Sequence, residues 1–289
     1  MKPFVQTYSV LVGTTACNAK CPFCISQMTP KCGMGNKAED LNVRNLKKGG
    51  LIAKEYGATT ALITGKGEPT LYPEQVTQAI KVLDEDCNFQ LIELQTNGIN
   101  LADEKFDSYL TEWYELGLTT IAVSACHWNM NNNKDIYGKK YPYLPTLIQK
   151  LHKFGFSVRI AAMYVKGFID NEYALGTMIN FCKTYDVEQF TIRNINFPDK
   201  SENEDVKNWT MRNRLDEETE TSLNEWVIKN GTKLATLVHG AEVYDVKGQN
   251  VCLSSCLTHD SESNQIRQLI YFPDGHIRYD WQFKGAILI

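Results

Sequence analysis

Three cysteines stand within eight residues near the start of the chain, in the run Cys17-Asn18-Ala19-Lys20-Cys21-Pro22-Phe23-Cys24. A loop carrying three thiolates can hold three corners of a 4Fe-4S cube and leave the fourth iron open to another molecule. Zinc is the second metal that this donor set admits. A structural zinc site, however, closes on four ligands, usually as two pairs, and no second Cys-x2-Cys pair follows at finger-like spacing. The third reading is three ordinary thiols packed as small hydrophobes. A further pair, Cys252 and Cys256, flanks Leu-Ser-Ser. A second cluster there would need Cys32, Cys182 or a non-cysteine ligand to complete it, and two partly buried thiols is the favoured reading.

Other residues that could do chemistry fall just after runs of strand character. Gly65-Lys66-Gly67-Glu68-Pro69 follows one such run, and its glycines let backbone groups approach a ligand with no Cβ in the way. Gln95-Thr96-Asn97-Gly98 ends another, with an Asn-Gly turn as its simplest reading. Ser124-Ala125-Cys126-His127 ends a third and puts a hydroxyl at the carboxyl end of a strand, where barrel active sites lie. Cys126 and His127 are the candidate catalytic residues, as groups that could line a substrate cavity. Arg159 reads as pointing outward from the first half of its strand, whereas Arg193 closes an apolar run. Near the end of the chain Arg267, His276, Arg278 and Trp281 offer positive and aromatic groups that could meet a phosphate and a base.

These positions need a scaffold that brings strand ends together. Short β-branched runs alternate with longer runs of helical period, the pattern of a parallel sheet with crossover helices. The strand candidates are Tyr8–Gly13, Thr60–Thr64, Gln90–Gln95, Thr119–Ser124, Ser157–Met163 and Gln189–Arg193, apolar enough to be covered on both faces. Helices are expected at Val43–Tyr56, Pro73–Asp86, Glu104–Leu116, Tyr143–Phe154, Glu172–Tyr185 and Glu217–Asn230. The tract Trp128–Asn133 reads as a loop over the barrel mouth, and Asn194–Asn213 as a long polar loop. The chain closes with a hairpin, Ile266–Phe272 and Ile277–Trp281 about a Pro273-Asp274-Gly275 turn. The organisation is a barrel core over residues 1–196 and an extension over 197–289 that packs on it.

The chain has 289 residues, 43% of them hydrophobic and 22% charged, with a net charge of −4, which leaves no global positive field for a long nucleic acid. No run of about 18 apolar residues marks a membrane span, and the first residues are too short and polar for an export signal. Cytoplasmic location is expected. In that setting the nine cysteines favour metal ligation over a disulfide framework.

With Phe23 just before its last cysteine, the trio resembles the hallmark of the radical S-adenosylmethionine (SAM) superfamily. The order and spacing of elements from Val10 to Asn196 are closest to the GTP 3′,8-cyclase-like branch. Its Gly-Gly-Glu-Pro motif corresponds to Gly65–Pro69, with Lys66 in place of the first of two adjacent glycines. The resemblance implies an α/β fold, a partial (β/α)6 TIM-type barrel with a small C-terminal extension containing a β-hairpin. It implies a 4Fe-4S cluster on Cys17, Cys21 and Cys24, whose open iron chelates SAM and whose reduction yields a 5′-deoxyadenosyl radical. By the same likeness Gly65, Gly67, Glu68, Asn97, Ser124 and Arg193 contact SAM, with the Arg193 guanidinium suited to a carboxylate. The net charge and the groups near the end of the chain point to a small, nucleotide- or nucleoside-like substrate, and the resemblance implies a one-electron donor such as a flavodoxin or ferredoxin. Alternatives are a peptide-modifying maturase and a non-catalytic iron-sulfur protein. The larger set of C-terminal cysteines typical of peptide-modifying relatives is absent, as is the cyclase branch's terminal Gly-Gly.

Overall fold

The computed structural model describes residues 4–237, 240–254 and 265–289. Its centre is a run of parallel strands in chain order: β1 (Phe4–Leu11), β2 (Thr60–Thr64), β3 (Leu91–Thr96), β4 (Thr120–Ala125), β5 (Ser157–Tyr164) and β6 (Gln189–Asn194). Parallel neighbours need crossovers, and helices supply them. After β1 come α1 (Ile25–Met28) and α2 (Val43–Glu55), and then α3 (Pro73–Lys81), α4 (Asp107–Glu115), α5 (Met130–Tyr137), α6 (Leu144–Lys153) and α7 (Glu172–Thr184). Asparagine side chains start several of them: Asn42 accepts from the Asn45 N–H at α2, and Asn171 from the Ala174 N–H at α7.

The two faces of the sheet differ. Ile63, Leu94, Ile121, Val123 and Ile160 point to the helix layer and are fully buried. There Val123 and Leu147 of α6 crowd the backbone of Gly98. Each such aliphatic side chain contributes about 1.5–3 kcal/mol by leaving water. Alternate residues on the inner face, among them Thr64, Gln95, Ser124, Met163, Thr191 and Arg193, are half-exposed. The expectation of strands covered on both faces is therefore corrected: one face packs on helices and the other lines an open lumen.

The remaining elements are α8 (Glu204–Asn213), α9 (Glu217–Asn230), β7 (Thr232–Thr236), β8 (Glu242–Val246), β9 (Gln249–Leu253), β10 (Gln265–Tyr271) and β11 (Ile277–Arg278). They extend the sheet at both edges, giving the order β11-β10-β1-β2-β3-β4-β5-β6-β9-β8-β7. β10 runs parallel to β1 and β9 parallel to β6, while β11, β8 and β7 are antiparallel additions. β7 and β11 are the two ends of that order, so the barrel is partial and open.

Two expected loops are helical. The tract Trp128–Asn133 enters α5, whose cap is Asn129 accepting from the Asn131 N–H. Asn194–Asn213 contains α8, capped by Asn203 and carrying Glu204 and Asp205 in its first turn. Acidic residues at a helix start favour the macrodipole, and that was the local signal available. The helix expected to reach Asp86 ends at Lys81 and continues as a π-helical turn over Val82–Asp86. The second hairpin strand is shorter than expected, ending at Arg278 rather than Trp281.

The hairpin turn is held by one carboxylate. Asp274 accepts two hydrogen bonds from Arg278, at 3.0 and 2.7 Å, and one from the His276 backbone N–H at 3.0 Å. Arg278 is buried and lies 4.6 Å from the centre of the Phe272 ring. Trp281 donates to Gln268 at 2.9 Å. Burial pushes the Asp274 carboxyl up, but the hydrogen bonds from Arg278 and His276 outweigh it and leave the group below its ordinary value. A carboxyl depressed in the folded state stabilises above its unfolded pKa and loses that contribution as pH falls through the folded one. Asp274→Asn should therefore lower the melting temperature at neutral pH, and the gap to the unmodified protein should narrow below pH 3.8. Thermal melts across pH 2–7 check this, and a pH-independent gap would contradict it.

Candidate functional site

The cysteine loop leaves the carboxyl end of β1 and is fixed by backbone contacts before any cysteine is reached. Gly13 turns with φ +73° against the Tyr72 ring, and its N–H donates to the Gln75 side chain at 2.6 Å. The Thr14 and Tyr72 hydroxyls lie 2.6 Å apart. Next, the turn after β2 closes on the loop: the Glu68 N–H donates to the Ala16 carbonyl at 3.0 Å, and a Cβ on Gly67 would stand 1.9 Å from that same oxygen. The Gly67 requirement is thus for close backbone approach between two protein segments.

The residue that follows β3 holds the other flank. The Asn97 amide donates to Asn18 Oδ1 at 2.7 Å and points at Cys17 Sγ at 3.8 Å, while the Ala19 N–H reaches the same sulfur at 3.4 Å. Lys20 N–H donates to the Tyr137 carbonyl at 3.1 Å, which anchors the middle of the loop on α5. Cys24 then caps the short helix α1. Over this end lies α8, with Trp209 packed on Phe23 at 6.0 Å between ring centres and Glu202 N–H donating to Met28 at 3.0 Å.

Cys17 is exposed and Cys21 and Cys24 are half-exposed, and none of the three is in a disulfide. Burial pushes the Cys21 thiol well above its ordinary value, and the neighbouring Cys24, Cys126 and Cys17 act in the same direction. Among the described residues no three His, Cys, Asp or Glu side chains converge tightly enough to chelate a single ion. A cubane asks for something different, namely one thiolate per iron at separate corners. Three soft donors on an immobilised loop, with N–H groups aimed at one sulfur, fit that group. Of the second pair, Cys256 lies outside the described residues.

The other expected site residues divide by whether their polar atoms are already used. Glu68 is buried, and its carboxylate accepts from the Thr96 hydroxyl at 2.6 Å, the Thr70 hydroxyl at 2.7 Å, the Asn97 N–H at 2.9 Å and the Thr70 N–H at 3.1 Å. Burial raises its pKa, against the effect of these four hydrogen bonds. Glu68 therefore ties the end of β2 to the end of β3. Asn97 is similarly engaged, its Oδ1 accepting from the Ile99 N–H. Gly65 lies against the Val12 carbonyl, 3.2 Å from where a Cβ would be.

Ser124 and Arg193 remain available. Both stand at strand ends on the inner face, half-exposed, and among the described residues neither side chain has a hydrogen-bond or ion-pair partner. Arg159 differs, since it pairs with Glu93, which also accepts from Gln95 at 2.9 Å. The structure thus turns Arg159 inward to the lumen, correcting the outward reading.

Cys126 is fully buried, 3.3 Å from the Tyr137 hydroxyl, and burial pushes its thiol up to about 12. His127 stacks on Trp128 with ring centres 3.6 Å apart, and its Nδ1 accepts from the Asn129 N–H at 2.9 Å. Burial lowers its pKa, which keeps the ring neutral. Sequence reasoning missed Asn18, Trp209 and the buried course of the Lys66 side chain, all of which act across long chain separations.

Comparison with known proteins is consistent with this geometry. The model of the Radical SAM superfamily matches residues 11–179. The GTP 3′,8-cyclase of Aquifex aeolicus (strain VF5) is 26% identical over 186 residues, which is 60% of this chain and 55% of that protein. The chain therefore spans about half the length of this curated relative. Streptococcus suis SuiB bound to precursor peptide SuiA superimposes with a TM-score of 0.67 at 17% identity, over 98% of this chain and 61% of SuiB. Native anSMEcpe with bound AdoMet and Kp18Cys peptide gives 0.62 at 13% identity, over 98% and 77%. At these identities the two structures show a shared fold, the partial barrel.

The contact at Gly67 can be tested alone. Gly67→Ala should cost about 1–3 kcal/mol by overpacking and cut the iron taken up on anaerobic reconstitution by more than half. Gly35→Ala, where the nearest atom is 3.5 Å from the added Cβ, should change neither. Wild-type iron content in the Gly67 variant would contradict the reading.

Proposed function

Because the chain belongs to the radical SAM superfamily, we propose that it holds a 4Fe-4S cluster on Cys17, Cys21 and Cys24 and reductively cleaves SAM to start hydrogen abstraction from a small substrate. The observation that carries this is the loop itself: three thiols on a backbone clamped from β2, β3 and α5, at the carboxyl ends of parallel strands and beside an open lumen. When bound, the cluster supplies the electron that splits the C5′–S bond of SAM to a 5′-deoxyadenosyl radical.

The chain's own residues divide the remaining work. Arg193 offers a guanidinium free of protein partners among the described residues, suited to the methionine carboxylate of SAM through two parallel hydrogen bonds. Ser124 offers a hydroxyl from the neighbouring wall, and the backbone at Gly65 and Gly67 forms the rim nearest the cysteine loop. Glu68 and Asn97 act as positioning residues, because their polar atoms already hold the loop. Cys126 and His127 serve as packing behind the lumen, since one thiol is buried and the imidazole is neutral and stacked. Exposed Cys17 marks the side from which a one-electron donor such as flavodoxin or ferredoxin would reach the cluster.

For the substrate, a nucleotide- or nucleoside-like molecule on the polar inner face is the reading we adopt, supported by the likeness to a GTP 3′,8-cyclase. Two of the hairpin groups are already engaged and are not counted toward it: Arg278 is spent on Asp274, and Trp281 on Gln268. A peptide substrate is the second reading, favoured by the open side of the barrel and by the overlap with peptide-bound structures along 98% of the chain. Among the described residues no helix is long and apolar enough to cross a membrane.

Anaerobic reconstitution followed by dithionite and SAM should release 5′-deoxyadenosine, read by chromatography. Replacing Cys17, Cys21 or Cys24 by alanine should each abolish it. Retained cleavage in all three variants would sink the assignment, and zinc in place of iron would overturn the class. Iron without product, even after nucleotides and peptides are added, would mark a non-catalytic iron-sulfur protein.

A further inference from the structure

Lys66 stands where the superfamily's motif carries the first of two adjacent glycines, and its side chain runs inward. The residue is 4% exposed, and its Nζ donates to the Thr29 hydroxyl at 2.7 Å. Thr29 in turn donates to the Ile25 carbonyl at 3.1 Å and so closes the helical turn that Cys24 begins. The ammonium is therefore fixed against the segment that leaves the third cysteine, while Gly67 beside it grips the segment that enters the first.

Electrostatics makes this placement costly by itself. An ammonium carries three N–H donors, and a buried charge is tolerated when it is paired. Among the described residues Lys66 forms no ion pair with a carboxylate. Burial pulls the Lys66 pKa down to about 8, against the thiols of Cys32 and Cys24 and the carboxylate of Glu202, which favour its charge. Thiolates holding an iron-sulfur cluster are anionic, and the assembly gains one more negative charge on reduction. A fixed positive charge beside it favours the reduced state over the oxidised one.

We propose that Lys66 is a positioning residue for charge: its ammonium, held by Thr29 beside the Cys24 segment, is a built-in countercharge that raises the reduction potential of the cluster. The inference rests on the cluster assignment above. It gives a reason for a long cationic side chain at a site where a glycine would satisfy the backbone.

The test is an EPR-monitored redox titration of the full-length, anaerobically reconstituted protein and its variants. Lys66→Met removes the charge at similar volume, Lys66→Gly restores the motif's own residue, and Lys66→Arg keeps the charge. The two neutral variants should load iron and need a more reducing potential. At the wild-type midpoint their reduced-to-oxidised ratio should fall about tenfold, which is about 59 mV for a one-electron couple. Lys66→Arg should stay near the wild-type midpoint. Neutral variants with full iron and an unchanged midpoint would overturn the proposal. So would loss of iron from both of them, because Lys66 would then build the loop and not act on the cluster's charge. Failure of the unmodified protein to take up iron would instead sink the cluster assignment on which the inference depends.

Discussion

A side chain on Gly67 would place its Cβ 1.9 Å from the carbonyl oxygen of Ala16, and this absence of room organises the whole site. It forces the turn after β2 and the loop after β1 into backbone contact, where the Glu68 N–H completes the contact by donating to the same oxygen. From there Glu68 reaches across to Thr96 and Asn97 at the end of β3, and Asn97 reaches back to Asn18 and Cys17. The circuit closes on the first cysteine. Buried carboxylates are tolerated when their acceptor sites are filled, and four donors fill those of Glu68.

The sheet separates stability from function by its two faces. Residues facing the helices are fully buried and supply the hydrophobic driving force, whereas the inner face keeps half-exposed polar groups over an open lumen. That division lets Ser124 and Arg193 stay without protein partners among the described residues, while Arg159, nearer the amino ends of the strands, is neutralised by Glu93. The C-terminal segment completes the architecture from both edges: β10 beside β1, β9 beside β6, and α8 over Phe23. The residues after the matched family region are thus part of the site's support.

What was legible in the sequence was what is encoded locally. The cysteine trio is a spacing, and helix α9 begins and ends where its Asp216 cap and apolar period place it, at Glu217 and Asn230. β2 likewise matches its β-branched run. Contacts between distant segments were not legible. Resemblance alone links Glu68 and Asn97 to SAM, and nothing in the chain reveals that they also have protein partners across 28 or 29 residues. The polar composition of 204–213 hid α8, whose support is the packing of Trp209 on Phe23. Nor does a sequence show that Lys66, a residue usually found in water, is folded inward to Thr29.

The central claim is that three cysteines hold a cubane with one iron left for SAM. EPR of the dithionite-reduced, reconstituted protein before and after SAM addition tests it most directly. A reduced cubane signal that shifts when SAM is added, and does so in proportion to bound cluster, is the predicted result. A cubane signal indifferent to saturating SAM would contradict the account, because it would mean that no iron is open to the ligand.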